Sequence, residues 1–382
     1  MRFTPPHHVA NAAVRRSTYP PSLTPILSQA ALARARRTIE AWPGYERTPL
    51  VRLPHLAQRS GLGAVWYKDE GSRFGLKSFK ALGGAYAVQE LLARLGLPPG
   101  EVTVTCATDG NHGRSVAWGA QRFGCRCRIY IHATVSEGRK RAIEAFGAEV
   151  VRTPGNYDDS VRQAATDAAQ NGWHVVSDTS YPGYTDIPKD VMAGYMLMAE
   201  EAFDALPEPP THIAVQGGVG GVAAAVLATS WLRWGAARPR FVVVEPERAA
   251  CIAPSLAAGE RRAAAGDLDT LMAGLACGEV SLLAWDVLHA GCDDALVIDD
   301  QAAVTVMRDL ANPAGDDPAL VAGESATCGL AGILAAAERP DLATALRLDR
   351  SSRVLVFGTE GDTDEALYQE LVGRTAEEVL AA

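Results

Sequence analysis

The sequence of 382 residues lacks several features that mark whole classes of protein. None of its seven cysteines forms a Cys-x-x-Cys pair, so we expect neither a zinc site nor a disulfide scaffold. It has no run of about 18 uncharged apolar residues and no signal-peptide core, so we expect a cytoplasmic protein without a membrane partner. Acidic residues (45) outnumber Lys and Arg (36), and the net charge of −9 argues against nucleic-acid binding, which requires a basic surface.

The N-terminal stretch also lacks periodicity. Residues 1–26 are rich in proline and aperiodic, so we expect them to wrap over the surface or over a partner subunit. The pair His7-His8 has no further ligand residues near it, which is typical of a solvated arm. We therefore expect no metal.

Beyond that stretch, apolar segments of strand length alternate with segments of helical periodicity. Buried strands are predicted at 102–107, 212–216 and 353–357, among others, and each is followed by a polar or glycine-rich loop. Such alternation predicts an α/β fold with doubly wound parallel sheets. A chain of this length is sufficient for two lobes that share a cleft.

The most distinctive segment runs from Val65 to Tyr86. A short apolar run meets a charged, glycine-containing loop, and Lys80 then opens a helix of small residues that lets another backbone come close. By itself this pattern also fits a lysine on a solvated helix start. If the amine lies at the mouth of a cleft, we expect burial to lower its pKa enough for a Schiff base with an aldehyde cofactor.

Ser78-Phe79-Lys80, followed by Ala81-Leu82-Gly83-Gly84-Ala85, resembles the lysine motif of fold type II pyridoxal-phosphate enzymes, the tryptophan synthase β-like family. The longer string from Tyr67 to Lys80 resembles, more narrowly, the diaminopropionate ammonia-lyases. The resemblance spans six motifs between Pro43 and Asp362. It implies two doubly wound parallel-sheet domains with pyridoxal 5'-phosphate in the cleft between them. The predicted large domain comprises 1–86 and 190–382, and the small domain comprises 87–189.

A glycine loop follows the predicted strand at 212–216. In Gly217-Gly218-Val219-Gly220-Gly221, backbone N–H groups can approach an anion beside a helix N-terminus, as a phosphate cradle requires. The same residues, with Glu245 closing the next strand, also fit a dinucleotide fingerprint. An NAD-dependent oxidoreductase is therefore an alternative, although it explains neither the lysine segment nor the loop around Asn111.

The loop Thr108-Asp109-Gly110-Asn111-His112-Gly113 ends another predicted strand. The resemblance implies that Asn111 contacts the cofactor ring oxygen and that the loop's backbone donors receive the substrate carboxylate. Related dehydratases have serine where Asp109 stands. A carboxylate there repels an ordinary amino acid, and a second ammonium on the substrate cancels that repulsion. Alternatively, Asp109 only stabilises a local turn or caps a helix. We expect His112 to be a packing residue.

Two further loops complete the predicted site. Ser177-Asp178-Thr179 resembles the second aspartate loop of the lyases, although Asp178 also fits a simple cap. Aspartates on opposite sides of a planar cofactor explain action on both D- and L-substrates. Thr359 matches the hydroxyl residue that meets the pyridine nitrogen in related enzymes, which favours elimination over transamination.

The resemblance thus implies a pyridoxal-phosphate-dependent lyase that converts 2,3-diaminopropionate to pyruvate and ammonia. Lys80, Asp109 and Asp178 are the expected catalytic residues, and a homodimer is common among relatives. The nearer alternative is a threonine or serine dehydratase on the same fold. The sequence leaves open the substrate's stereochemistry and whether Cys251 and Cys277, both in family-like stretches, lie close together.

Overall fold

A computed structural model describes residues 2–381, so the ends of the predicted ranges at residues 1 and 382 lie outside it. The strands are β1 (His7–Ala10), β2 (Leu50–Arg52), β3 (Ala64–Asp69), β4 (Thr103–Ala107), β5 (Arg126–Ile131), β6 (Glu149–Arg152), β7 (His174–Val175), β8 (His212–Gln216), β9 (Arg240–Pro246), β10 (Asp294–Ile298) and β11 (Arg353–Gly358). The helices are α1 (Gln29–Glu40), α2 (Pro54–Arg59), α3 (Ala81–Leu95), α4 (Asn111–Phe123), α5 (Glu137–Glu144), α6 (Tyr157–Asn171), α7 (Asp186–Ala205), α8 (Gly221–Trp234), α9 (Ile252–Ala258), α10 (Leu282–Gly291), α11 (Asp300–Ala311), α12 (Cys328–Ala337), α13 (Pro340–Leu346), α14 (Glu365–Val372) and α15 (Ala376–Leu380).

The strands form two sheets. The larger sheet has the order β1-β10-β9-β8-β11-β3-β2, and its five central strands are parallel. The smaller sheet, β6-β5-β4-β7, is parallel throughout. The predicted α/β fold with parallel sheets is therefore confirmed. It differs from the expectation in having antiparallel edge strands, β1 and β2, on the larger sheet.

The N-terminal stretch is more ordered than predicted. His7–Ala10 adds an edge strand to β10, and the His8 Nε2 atom lies 2.8 Å from Asp294 Oδ1. The buried Asn11 side chain donates to the carbonyls of His289 and Cys292. The prediction of a solvated arm at His7-His8 was wrong because backbone pairing with β10, rather than side-chain pattern, holds the pair.

The small residues of α3 let other helices approach it closely, as predicted. A Cβ atom at Gly83 would overlap the ring of Tyr195 on α7, and one at Gly84 would overlap Ser115 on α4. Gly194 on α7 in turn touches the carbonyl of Leu82. α3 therefore lies directly between α4, which follows a strand of the smaller sheet, and α7, which leads into the larger one.

The smaller sheet draws all its strands from residues 103–175, and the larger sheet draws its strands from 7–69 and 212–358. The predicted division into a large domain (1–86 and 190–382) and a small domain (87–189) stays a prediction. No helix within residues 2–381 combines the length and the apolarity that crossing a membrane requires.

Candidate active site

The predicted site residues lie just beyond the carboxyl ends of strands in both sheets. Asn111 begins α4 after β4, Asp178 follows β7, and Thr359 follows β11. The glycine loop lies between β8 and α8, while Lys80 immediately precedes α3 in the segment after β3. Ligands of parallel sheets bind at such strand ends. Side-chain contacts between the two sheets then bring these loops to one cleft.

Lys80 and Asp178 form the central contact of that cleft. The Lys80 Nζ atom lies 2.8 Å from Asp178 Oδ2, although the two residues are 98 positions apart in the chain. The ammonium also lies 5.4 Å from the ring centroid of Phe79 and 5.9 Å from that of Tyr195. The lysine and the second predicted aspartate therefore occupy the same site.

This pair reverses one expectation. Burial alone lowers the pKa of Lys80, but the neighbouring carboxylate of Asp178 outweighs burial and raises that pKa above its ordinary value. Burial likewise acts to raise the pKa of Asp178, but Lys80 and His112 hold it below the usual range. An amine must lose its proton before it attacks an aldehyde, and the ion pair with Asp178 opposes that loss.

His112 packs beneath this pair. Its Nε2 atom lies 2.8 Å from the carbonyl oxygen of Val176, so Nε2 carries the proton, and burial lowers the pKa of the ring. Its Nδ1 atom is 3.9 Å from Asp178 Oδ2 and has no hydrogen-bond partner within residues 2–381. The expected packing role is consistent with this geometry, which also places the ring against Asp178.

The glycine loop has the properties of an anion cradle. Among the described residues, the backbone N–H groups of Gly218, Gly220 and Gly221 donate to no oxygen, and they lie at the N-terminus of α8. Gly220 has a φ of +91°, which a residue with a Cβ rarely adopts. The sequence predicted this loop from its composition.

Glu245 does not serve the ribose-binding role of the oxidoreductase alternative. Its side chain is fully buried and accepts hydrogen bonds from the backbone N–H groups of Cys251, Ile252 and Ala253 at 2.7–2.8 Å. It therefore caps the start of α9. The dinucleotide fingerprint was a coincidence of glycine spacing.

Thr359 is held by a residue that the sequence did not single out. Gln216, the last residue of β8, donates from Nε2 to the Thr359 hydroxyl oxygen at 2.5 Å. The threonine hydroxyl proton is therefore free to be donated to an acceptor in the cleft. The position of Gln216, directly before the glycine loop, was the available signal.

Asn111 donates a hydrogen bond through its side chain, whereas Asp109 accepts one. The Asn111 side chain donates from Nδ2 to the carboxylate of Glu360, a residue for which we predicted no role. Asp109 is half-buried and accepts a hydrogen bond from His132 Nε2 at 2.7 Å, and His132 in turn contacts Thr134. His132 was also missed, because nothing near it in the sequence marks it.

The thiol of Cys277 is influenced by the charges of both aspartates. Burial, followed by the negative charges of Asp178 and Asp109, raises the pKa of this thiol to about 12. Cys251 and Cys277 both carry free thiols, and both lie near Gly218. The two cysteines therefore lie close together, and no disulfide joins them.

The charged residues of the lysine segment form a buried cluster, which their pattern in the sequence did not indicate. Arg73 donates to Glu70 at 2.8 Å and to Glu201 of α7 at 2.6 Å, and Lys68 lies 2.7 Å from Glu201. All four side chains are almost fully inaccessible. This cluster of two cations and two anions anchors the segment that carries Lys80.

Comparison with known proteins agrees with this geometry. A model of the pyridoxal-phosphate dependent enzyme family matches residues 41–359. Together with the lysine and the strand-end loops, this match defines a pyridoxal-phosphate-dependent enzyme of fold type II. The diaminopropionate ammonia-lyase of Escherichia coli (strain K12) is 40% identical over 370 residues, which cover 91% of this chain and 93% of that protein. The chain therefore belongs to the diaminopropionate ammonia-lyase family.

Solved structures extend the comparison. A crystal structure of a diaminopropionate ammonia lyase from Escherichia coli, in complex with an aminoacrylate–PLP azomethine reaction intermediate, matches with a TM-score of 0.90. Its identity is 38%, and the match covers 97% of this chain and 98% of that one. Threonine deaminase isoform 2 from Solanum lycopersicum matches with a TM-score of 0.76 at 21% identity, covering 97% of this chain and 98% of that chain, which shows a shared fold.

The residues present fit pyridoxal phosphate group by group. Lys80 offers an amine for the aldehyde, and the free N–H groups of the glycine loop offer donors for the phosphate. Asn111 retains a second amide N–H for the phenolic oxygen, and Thr359 retains its hydroxyl proton for the pyridine nitrogen. The hydrogen bonds made by Asn111 and Thr359 thus leave one donor of each side chain available.

Proposed function

We propose that the protein is a pyridoxal-phosphate-dependent lyase that converts 2,3-diaminopropionate to pyruvate and ammonia. The observation that carries the proposal is the contact between Lys80 Nζ and Asp178 Oδ2 at 2.8 Å, which joins the lysine segment to the loop after β7. Relatives that carry the lyase name match almost the whole chain. They support the same assignment.

The cofactor and the protein have separate tasks in this reaction. When bound, pyridoxal phosphate withdraws electrons from the α-carbon of the amino acid, which acidifies the α-hydrogen and allows the β-amino group to leave. Lys80 holds the cofactor, the glycine loop neutralises its phosphate, and Asn111 and Thr359 orient the ring. The protein's remaining task is to supply a proton acceptor close to the α-carbon.

Two carboxylates are available for that task. Asp178 is ionised at neutral pH because the Lys80 ammonium holds its pKa below the usual range, so its Oδ2 atom can accept the α-proton. Asp109 follows β4, which pairs with β7, the strand before Asp178, and the charges of both carboxylates act on the Cys277 thiol. We assign one aspartate to each enantiomer of the substrate, which makes the enzyme active on D- and L-forms.

Asp109 also supports the choice of substrate. The backbone N–H groups of Asn111 and His112 begin α4 and donate to no group among the described residues, so they are free to bind the substrate α-carboxylate. The carboxylate of Asp109 beside them favours a substrate that carries a second ammonium. Loss of the β-amino group leaves aminoacrylate, which takes up one water and releases pyruvate and a second ammonia.

The test is pyruvate release from cofactor-loaded protein given D- and L-2,3-diaminopropionate, with L-serine and L-threonine in parallel. We expect turnover of both diaminopropionates and little turnover of the hydroxy amino acids. A preference for serine or threonine would make the protein a dehydratase and reduce Asp109 to a structural residue. The matched variant is Asp109→Ser, which places the dehydratase residue at this position and should shift activity toward L-serine.

Assembly and location are parts of the same proposal. We expect a homodimer, as is common among related enzymes, and a cytoplasmic protein whose seven cysteines stay reduced. Light scattering on the purified protein tests the first, and thiol titration of the protein, purified without reductant and unfolded in denaturant, tests the second. A monomer at micromolar concentration, or fewer than seven free thiols, would contradict the respective expectation.

A further inference from the structure

The backbone of Thr359–Gly361 pairs with that of Lys77–Phe79, the residues directly before Lys80. The Phe79 N–H donates to the Thr359 carbonyl at 3.1 Å, and the Gly361 N–H donates to the Lys77 carbonyl at 2.9 Å. Any side chain on this segment is therefore fixed relative to the backbone that carries Lys80. Glu360 is the one member whose side chain reaches across to the smaller sheet's loops.

Glu360 is buried and accepts hydrogen bonds only. Its Oε1 atom accepts from the backbone N–H of Ser325 at 3.1 Å, and its Oε2 atom accepts from the hydroxyl of Thr363 at 3.3 Å. The Oε2 atom also accepts from Asn111 Nδ2, a residue 249 positions away. Three donors converging on two oxygens suit an ionised carboxylate.

A carboxylate fixes the orientation of an amide that faces it. Because Glu360 only accepts, Asn111 must turn its NH₂ group toward Glu360 and not its carbonyl oxygen. One of the two amide protons is thereby used, and the other proton and the Oδ1 atom remain available. Charge-assisted hydrogen bonds of this kind are about twice as strong as neutral ones.

We propose that Glu360 is a positioning residue that holds the Asn111 amide in the orientation that meets the phenolic oxygen of pyridoxal phosphate. The inference rests on the cofactor assignment of the proposed function. Through this hydrogen bond Asn111, which follows a strand of the smaller sheet, contacts the loop after β11 of the larger sheet, which also carries Thr359.

The experiment is a double-mutant cycle with Glu360→Ala, Asn111→Ala and the double variant. The readouts are the dissociation constant of pyridoxal phosphate for the apoprotein and the visible absorption spectrum of the loaded protein across pH. The control is Thr363→Val, which removes a donor to the same Oε2 atom but has no contact with Asn111. Glu360→Gln keeps the shape and the acceptor oxygen while it removes the charge.

We expect Glu360→Ala to weaken cofactor affinity by about tenfold or more and to shift the spectrum in the same direction as Asn111→Ala. The double variant should be no weaker than Asn111→Ala, and Thr363→Val should match the wild type. Effects that multiply in the double variant, or an unchanged affinity and spectrum, would overturn the inference. If Glu360→Ala does not fold, Glu360→Gln replaces it, and we then expect a smaller loss of cofactor affinity with a spectral shift in the same direction, because the charge is removed while an acceptor oxygen remains. Both readouts are taken without substrate, so absence of diaminopropionate turnover would overturn the proposed function alone.

Discussion

Replacement of Glu201 by alanine tests the buried ion cluster beneath the lysine segment. Glu201 accepts hydrogen bonds from Tyr45, Lys68 and Arg73 at 2.6–2.9 Å, and its side chain is almost fully inaccessible. Its removal leaves two buried cations against the single anion Glu70. Removal of one partner from a buried pair costs about 3–5 kcal/mol. For 382 residues the unfolding entropy is about 0.8 kcal/mol/K, so we expect the melting temperature to fall by about 4–6 °C.

The assay is the thermal midpoint of Glu201→Ala against a neighbouring control on the same helix. Glu200 pairs with Arg36 at 3.1 Å, where both side chains are partly exposed, so Glu200→Ala should cost at most about 1 kcal/mol, or about 1 °C. Glu201→Gln keeps the shape and should lie between the two. Equal midpoints for Glu201→Ala and Glu200→Ala would refute the claim that this cluster stabilises the fold.

Three further predictions follow from the site. Lys80→Ala should lose both the cofactor's visible absorption and pyruvate release, whereas Lys77→Ala, whose amine pairs with Asp362 and Glu365 at 2.8 and 2.9 Å, should keep both; the reverse result would disprove the Schiff-base assignment. Asp178→Asn and Asp109→Asn should each lose about 10²–10⁴ in rate with one enantiomer of diaminopropionate and little with the other, and equal losses on both enantiomers would count against the two-base proposal. Burial, with the charge of Glu360, raises the pKa of Glu324 from 4.5 to about 7, so the folded state binds a proton more tightly and should lose stability as pH rises from 4.5 to 7. Melting curves across that window should fall less steeply for Glu324→Gln than for the wild type, and parallel curves would contradict the shift.

Much of the fold was predictable because strand and helix periods are local. The predicted strand at 212–216 has the observed bounds of β8. The glycine loop was recognisable for the same reason, since phosphate cradles depend on consecutive residues. The edge strand His7–Ala10 was missed because its register depends on β10, which lies far along the chain.

The site residues were recognisable individually, but their partners were not. Gln216 and Glu360 stand beside residues that we predicted to contact the cofactor, yet the hydrogen bonds that give them a role depend on how strand ends meet. The expectation of a lowered Lys80 pKa failed for the same reason. Burial was foreseeable from the pattern, but the carboxylate that outweighs it was not.

The sequence by itself determined the α/β class, the lysine motif and the loops that follow the strands, because each of these depends on residues close together in the chain. Only the tertiary structure decided which charges meet. Contacts between the loops of the two sheets bring Asp178 to Lys80 and Glu360 to Asn111. Packing against α7 buries the charged residues of the lysine segment around Glu201. The physical reason is that ion pairs and hydrogen bonds act over a few ångströms in space, whatever the separation along the chain.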